Sequence, residues 1–268
     1  MRARFGEPSA EQQPSSSSVH PTARAGFETS AEAYERLRPT YPVEAIDWTS
    51  EQLGLGPSTT VLDLGAGTGK LTRLLRERSG FVIAVEPLES MRSQLRAALG
   101  QGVEVREGTA ESIPLPDASV DAVTAAQSFH WFDGPRALDE IARVLRPAGA
   151  MALLWNRWAR DDPLQVALDD LQESLRPAGV PEYVSGTWSR AFVARGAPFA
   201  LRAQRQFQHA QYLSRDQLIE RLTTISYIAT LPLESMEPFR HQCKAIVGTT
   251  PEPIRFGYIT DVFVYDRA

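Results

Sequence analysis

Thr59-Thr60-Val61-Leu62-Asp63-Leu64-Gly65-Ala66-Gly67-Thr68-Gly69-Lys70 is an apolar run that ends in an acid and a glycine-rich turn. Leu71, Leu74 and Leu75 follow at helical spacing, so the stretch reads strand, turn, helix. Glycines at 65, 67 and 69 let the backbone turn sharply and approach a ligand with no Cβ in the way. The residues themselves test which ligand. A P-loop needs a glycine where Leu64 stands and a hydroxyl residue where Leu71 stands. A dinucleotide fingerprint needs its last glycine where Lys70 stands, so that fit is partial. Asp63, at the end of the strand beside the turn, would repel a pyrophosphate and favour a cationic ligand.

A second apolar run, Phe81 to Val85, ends in Glu86. This acid follows Gly65 by 21 residues, close to the ~20 expected of a carboxylate that binds a ribose diol at a strand tip. With these two features together, the chain resembles the class I S-adenosylmethionine-dependent methyltransferases. Later segments carry the resemblance further. Gly108-Thr109-Ala110-Glu111-Ser112-Ile113-Pro114 is similar to that family's adenine loop, Ser119 to Ala126 to its fourth strand, and Glu140 to Gly149 to the helix and turn before its fifth. The match is good from about residue 34 to 156 and weaker beyond, and within the family it points to the small-molecule, trans-aconitate methyltransferase-like (type 11) group.

The resemblance implies S-adenosyl-L-methionine as cofactor and S-adenosyl-L-homocysteine as product. Its sulfonium and ammonium suit an acidic, phosphate-free turn. The cofactor residues it implies are Tyr34, Arg38, Asp63, Gly65, Ala66, Gly67, Glu86, Pro87, Ala110, Glu111 and Gln127. Tyr34 and Arg38 come from a helix followed by Arg38-Pro39-Thr40-Tyr41-Pro42, which in similar enzymes closes over the methionine end. A guanidinium suits the cofactor carboxylate, although Arg38 could equally be a solvated helix-end cation. The carboxylate of Glu111 and a backbone N–H at Ala110 can read the edge of adenine.

Gln127-Ser128-Phe129-His130-Trp131-Phe132-Asp133 follows the fourth strand and puts aromatics around a histidine where an acceptor should lie. Phe129, His130, Trp131 and Trp158 are the candidate acceptor-binding residues, and His130 is the one candidate general base. A carboxylate acceptor would need no base. The competing reading makes the aromatics core and the histidine a structural hydrogen-bonder.

Composition sets the bounds. The chain has 268 residues, 43% hydrophobic and 23% charged, enough for one large α/β domain with a proper core. A net charge of -5 and the lack of a basic cluster disfavour nucleic acid. No apolar run is long enough for a bilayer and no signal-peptide core is present, so a cytoplasmic protein without membrane partners is expected. Four scattered histidines have no metal-ligand spacing, so no metal is expected. The single cysteine, Cys243, reads as a small buried hydrophobe.

In order, residues 1–25 are polar and Ser/Pro-rich, expected as a disordered arm. Residues 26–268 form the methyltransferase domain, with a first helix opening near Thr29 or Ser30 and a second over Val43 to Leu53. Strands and helices then alternate, which implies a parallel sheet whose ligands bind beyond the strands' carboxyl ends. Asp133 should cap a helix running to Arg146, with Pro147 to Gly149 as its stop. An insertion at about 157–200 reads as a lid. Two helices, Arg215 to Thr230 and Ser235 to Val247, precede a closing strand, Arg255 to Asp266. The expected fold is thus a Rossmann-like, doubly wound, mainly parallel seven-stranded sheet with a C-terminal antiparallel hairpin and a helical cap. The expected activity is methyl transfer to a small organic acceptor, oxygen before carbon or nitrogen, in secondary metabolism. The rival is a methyltransferase fold kept as a cyclase or non-catalytic binding protein. An NAD-dependent oxidoreductase fits least, because of the turn spacing and Asp63.

Overall fold

Strand β1, Thr60–Leu64, is the centre of the sheet, and Val61, Leu62 and Leu64 have no solvent exposure. Each fully buried aliphatic of this size stabilises by about 1.5–3 kcal/mol, so a five-residue strand suffices here. β1 pairs in parallel with β2 (Phe81–Val85) on one side and with β4 (Val120–Ala126) on the other. β3 (Val103–Arg106) pairs in parallel beyond β2, and β5 (Leu145–Trp158) in parallel beyond β4. β7 (Ile254–Arg267) runs antiparallel to both β5 and β6 (Phe199–Leu213), giving the order β3-β2-β1-β4-β5-β7-β6. This is the Rossmann-like sheet with its antiparallel C-terminal pair that the sequence implies. The computed structural model describes residues 20–99 and 102–268.

Helices cover both faces. α2 (Val43–Gln52) and α3 (Lys70–Arg76) pack on one, where Ala45, Ile46, Leu71 and Leu75 meet Val61, Val82 and Leu154. α5 (Gly134–Val144) packs on the other, where Leu138 and Ile141 meet Leu62, Val123 and Leu153. α4 (Glu89–Ala98) follows β2 and buries Met91 and Leu95.

The carboxyl ends of the parallel strands are roofed by helices from three parts of the chain. α1 (Pro21–Leu37) lays Ala31 and Tyr34 on Leu88 and Met91. It is tied to α3 by Arg73 Nη2 donating to Glu35 at 2.6 Å, and to α8 (Arg215–Thr223) by Arg36 donating to Glu220 at 2.5 Å. α6 (Pro163–Glu173) and the short α7 (Arg190–Val193) come from the 157–200 insertion. α8 and α9 (Leu233–Val247) occupy the connection between β6 and β7 and form a core of their own around Leu218, Leu222, Phe239 and Cys243. β6 is parallel to β5, so this connection emerges on the ligand side of the sheet. Cys243 is buried there, and burial pushes its thiol up to about 12, as a small hydrophobe would behave.

Several boundaries differ from expectation for local reasons. α1 opens at Pro21, not near Thr29, because a proline fits the first turn of a helix; of the expected arm, residues 1–19 lie outside the described residues. α5 stops at Val144, and the residues expected as its stop lie within β5, which starts at Leu145 and bulges against Val120 and Ala122. Asp133 sits at the N-cap of α5 but its side chain makes no capping bond. The helix expected to reach Thr230 ends at Thr223. The 157–200 insertion, expected as a lid, is not loose: Tyr183 stacks on Trp155 and Trp188 lies tilted against it, with ring centres at 4.5 Å each, and Phe192 stacks on Tyr265 at 4.0 Å.

Gly65 and Gly67 both have left-handed backbone, with φ of 67° and 57°. A Cβ on Gly65 would lie 2.8 Å from Ser128 Cβ, whereas one on Gly67 would meet nothing within 4 Å. Gly67→Ala should therefore cost only the left-handed penalty of about 1–2 kcal/mol. Gly65→Ala should add an overpacking cost of about 1–3 kcal/mol. Urea unfolding of the two variants checks the difference.

Candidate functional site

The site starts from two buried acids. Asp63, at the end of β1, is 1% exposed, and its carboxylate accepts from the Thr72 hydroxyl at 2.6 Å and the Thr124 hydroxyl at 3.2 Å. Glu86, just past β2, is 6% exposed and accepts from the backbone N–H groups of Gly67 at 2.9 Å and Leu88 at 3.0 Å. Burial pushes Asp63 up to about 6 and Glu86 up to about 7, against the hydrogen bonds that favour their charged forms. Gly65 and Ala66 both donate to the Val85 carbonyl, which pins the turn between the strand ends.

A cavity of about 310 Å³ opens on these acids and runs along the ends of β2, β1, β4 and β5 beneath the helical roof. It collects Tyr34, Arg38, Asp63, Gly65, Ala66, Gly67, Glu86, Pro87 and Gln127 from the cofactor set, with His130, Trp131 and Trp158 from the acceptor set. Gln127 ends β4 with a left-handed φ of 58°, uncommon for a residue with a Cβ, and its side-chain amide donates to the Asn156 carbonyl at 3.1 Å. Arg38 stands over the Tyr34 ring at 5.3 Å. Its Nε and Nη2 are taken by the hydroxyl and carbonyl of Thr224, each at 2.9 Å. Burial and the neighbouring Arg221 charge push it down to about 10, which leaves it charged at neutral pH.

Three expected residues are not brought to the cavity. Phe129 is 1% exposed and packs in the core against Phe132, Phe192 and Trp188. Ala110 is 3% exposed in the same core. Glu111 turns away to accept from the Asp133 backbone N–H at 2.9 Å, so it secures the loop after β4. His130 lines the cavity but does not have the state of a base. Its Nδ1 accepts the Trp155 indole N–H at 3.2 Å, which puts the remaining proton on Nε2. Burial and the charge of Arg176 push it down to about 3.

Residues outside the expected set complete the wall. Leu88 and Met91 line it on the β2 side, and Asn156, Arg176, Tyr183, Arg221 and Tyr227 on the β5 and roof side. Arg221 is 1% exposed and its guanidinium stands 5.2 Å from the Trp158 ring centre, 5.3 Å from Phe256 and 5.4 Å from Tyr258. Its only sequence signal was a cation at a position of α8 that shares a helix face with Leu218 and Leu222. Among the described residues no cluster of metal-ligating side chains occurs, and no helix is long and apolar enough to cross a membrane.

A doubly wound sheet with a glycine turn after β1, an acid after β2 and a roofed cavity over both defines a nucleoside-cofactor site of Rossmann-like type. The methyltransferase domain family matches residues 62–153. An uncharacterised methyltransferase of Mycobacterium tuberculosis is 42% identical over 225 residues, which cover 84% of this chain and 86% of that protein. An uncharacterised methyltransferase-like protein of Schizosaccharomyces pombe is 35% identical over 248 residues, 90% and 95% of the two chains. A solved structure from Anaeromyxobacter dehalogenans, provisionally assigned as a type II methyltransferase, matches with a TM-score of 0.61 at 26% identity, covering 85% of this chain and 97% of that one. The chain belongs to the class I S-adenosylmethionine-dependent methyltransferases.

The acids give a pH signature. The pKa of Glu86 is higher folded than the ~4.3 of an unfolded glutamate. Its contribution to stability is therefore full below about pH 4 and is lost as pH rises through about 7. His130 has the opposite sign: its contribution is full above its unfolded ~6.5 and is lost as pH falls towards about 3. Glu86→Gln removes the first of these. Whatever its offset, its stability relative to the parent protein should rise from pH 5 to pH 8 by roughly 2–3 kcal/mol, at ~1.4 kcal/mol per pKa unit. Urea unfolding at several pH values measures it, and a flat difference would mean that Glu86 is not held up.

Proposed function

We propose that this protein transfers the methyl group of S-adenosylmethionine to an oxygen of a small organic acceptor. The observation that carries the proposal is the continuity of one cavity, from the Gly67 and Glu86 end through to the aromatic chamber around Trp131, Trp158, Tyr183 and Tyr227. The residues present fit the cofactor. The direction in which a Gly67 Cβ would point is open, so a ligand can lie against the turn. Glu86 keeps lone pairs beyond its two backbone bonds and suits the ribose hydroxyls. Pro87, Leu88 and Met91 give adenine an apolar wall, in place of the contact expected through Ala110 and Glu111. Asp63 supplies negative potential to the cationic end, and Tyr34 with Arg38 closes over the methionine end. When bound, the cofactor supplies an electrophilic methyl on a sulfonium.

The protein's part is then to orient a nucleophile in line with that methyl and to exclude water, which can contribute roughly 7–11 kcal/mol at best. α1, the 157–200 insertion and α8 exclude water by roofing the chamber. Its size and closure favour a small molecule over a polymer. His130 enters as an Nε2–H donor that orients the acceptor rather than as the base expected for it, so the acceptor oxygen must be nucleophilic without proton transfer to this ring.

Calorimetric titration with S-adenosylhomocysteine and with NAD tests the cofactor assignment. The adenosyl ligand alone should bind, and Gly67→Arg, whose side chain would fill the open space beside the turn, should abolish it. Binding of neither ligand, once denaturation and mass spectrometry have shown the protein to be free of carried-over cofactor, would sink the reading. The state of His130 is tested separately by nitrogen-15 NMR of the histidine rings. An Nε2–H tautomer with no titration between pH 5 and 8 is expected; titration near pH 6.5 would restore the base.

A further inference from the structure

Arg221 is a full positive charge that the fold has buried and not neutralised. Its Nε and Nη1 are sealed from solvent and have no hydrogen-bond partner. Among the described residues no carboxylate lies within 4.0 Å of it, although twenty other cation–carboxylate contacts within that distance tie the molecule together. The other roof cations of the cavity differ in this respect. Arg176 is held by Glu173 and Glu182, and Arg38 spends two nitrogens on Thr224. The three rings around Arg221 give cation–π contacts worth about 0.5–2 kcal/mol apiece. Taking a lone guanidinium out of water costs several kcal/mol. The rings and a hydrogen bond with the Tyr258 hydroxyl offset part of that cost and leave Nε and Nη1 unmet. A charge kept in this way at a cavity wall is a receptor for an anion.

Position says whose anion. Glu86 stands at the end of β2, Asp63 and the glycine turn at β1, and Gln127 at β4. Arg221 stands over Trp158 of β5 and over Phe256 and Tyr258 of β7, two and three strands further on from β1. At ~4.8 Å between neighbouring strands this is roughly 10–14 Å from the turn, over the acceptor half of the cavity. The methionine carboxylate of the cofactor is given to Arg38 and Tyr34, of which Tyr34 feels the charge of Glu86 and Arg38 neighbours Arg221, so the cofactor must be in place when the acceptor's anion is tested. A guanidinium edge between aromatic faces suits a planar oxyanion, which it can bind with paired N–H bonds.

Resting on the methyltransferase reading, we propose that the acceptor is a planar organic molecule carrying an oxyanion group, a carboxylate or phosphate ester, and that Arg221 binds that group. The anion bound to Arg221 serves as an anchor. Its lone pairs are taken by the guanidinium, so the methylated oxygen is a second group of the same molecule, nearer the glycine turn.

The test uses the full chain saturated with S-adenosylhomocysteine. Three aromatic probes, the anions benzoate and phenyl phosphate and the neutral benzamide, are titrated in by calorimetry at millimolar concentration. At least one of the two anions should bind about tenfold or more tightly than the neutral amide, and which one does so separates carboxylate from phosphate. Arg221→Met should lose that preference by about tenfold or more, keep its affinity for S-adenosylhomocysteine within about threefold, and unfold at the same or a higher temperature because an unpaired buried charge has been removed. Arg221→Lys, which keeps the charge but not the planar fork, should retain part of the preference. Equal binding of acid and amide, or response to neither anion, overturns the proposal. A fall in unfolding temperature with anion binding unchanged would make Arg221 a structural clamp, and a loss of S-adenosylhomocysteine affinity would give it to the cofactor. Failure of S-adenosylhomocysteine to bind the parent protein would instead overturn the methyltransferase assignment itself, so the two failures are distinguishable.

Discussion

The hydrogen bond from the Gly67 backbone to the Glu86 carboxylate, at 2.9 Å, is the contact on which the site depends. It joins the turn after β1 to the tip of β2 and requires an acid in a place with almost no solvent. The acid is tolerated because Leu88 N–H meets its second oxygen and because the turn presents N–H groups to it. Glycine is required at 67 for the left-handed backbone that aims this N–H. The cost is visible in the acid itself, which burial pushes up to about 7. A ligand that brings hydroxyl donors to Glu86 would relieve that cost, so the strain of the free protein would favour such a ligand.

Charge is divided along the cavity. Asp63 and Glu86 make the β1–β2 end negative, and Arg38 and Arg221 make the roof and the β5–β7 end positive. The two ends are built from different parts of the chain. The acids sit at the ends of the parallel strands, while the cations arrive on α8 and at the end of α1, helices that lie above the sheet. Inside a low-dielectric cavity such a gradient would orient a cationic ligand and an anionic one oppositely. Of the ion pairs that tie α1 to its neighbours, Arg36–Glu220 to α8 is exposed and worth about 0–1 kcal/mol, while those of Glu35 with Lys70 and Arg73 of α3 are half-buried. Apolar contacts also hold the roof, Ala31 and Tyr34 on Leu88 and Met91, and the separate core around Phe239.

The sheet and the turn were legible because their causes are local. Short apolar runs, glycines and an acid at a set distance are written within about thirty residues, and Asp63, Gly65, Ala66, Gly67, Glu86 and Pro87 all come to one wall. Phe129, Ala110 and Glu111 were misplaced because a residue just past a strand can face cavity or core, and one residue of rotation decides which. Phe129 turns into the aromatic cluster under the lid, whose members Trp188, Phe192 and Phe263 come from segments too distant to be read with it. Pro21 starts a helix inside a polar stretch because α1 is held by partners on α3, α4 and α8, not by its own composition. Arg221 was hidden for the same reason: an insertion between β6 and β7 says nothing of where its helices land until the antiparallel pairing of β7 brings them over the site.

His130 stands where its motif places it, in surroundings that disfavour the role of base. It stands at the end of β4 on the cavity wall, where a base would be useful. The indole of Trp155 has already taken the lone pair on Nδ1, and Trp155 itself is fixed by Tyr183 and Trp188 from the lid. A ring so held cannot gain a proton without breaking a bond to a residue that has no solvent exposure. Its low basicity follows from packing, and packing is also what orders the lid. The packing that orders the 157–200 insertion is thus the same packing that lowers the basicity of His130, and it would favour an acceptor that enters already able to act as a nucleophile.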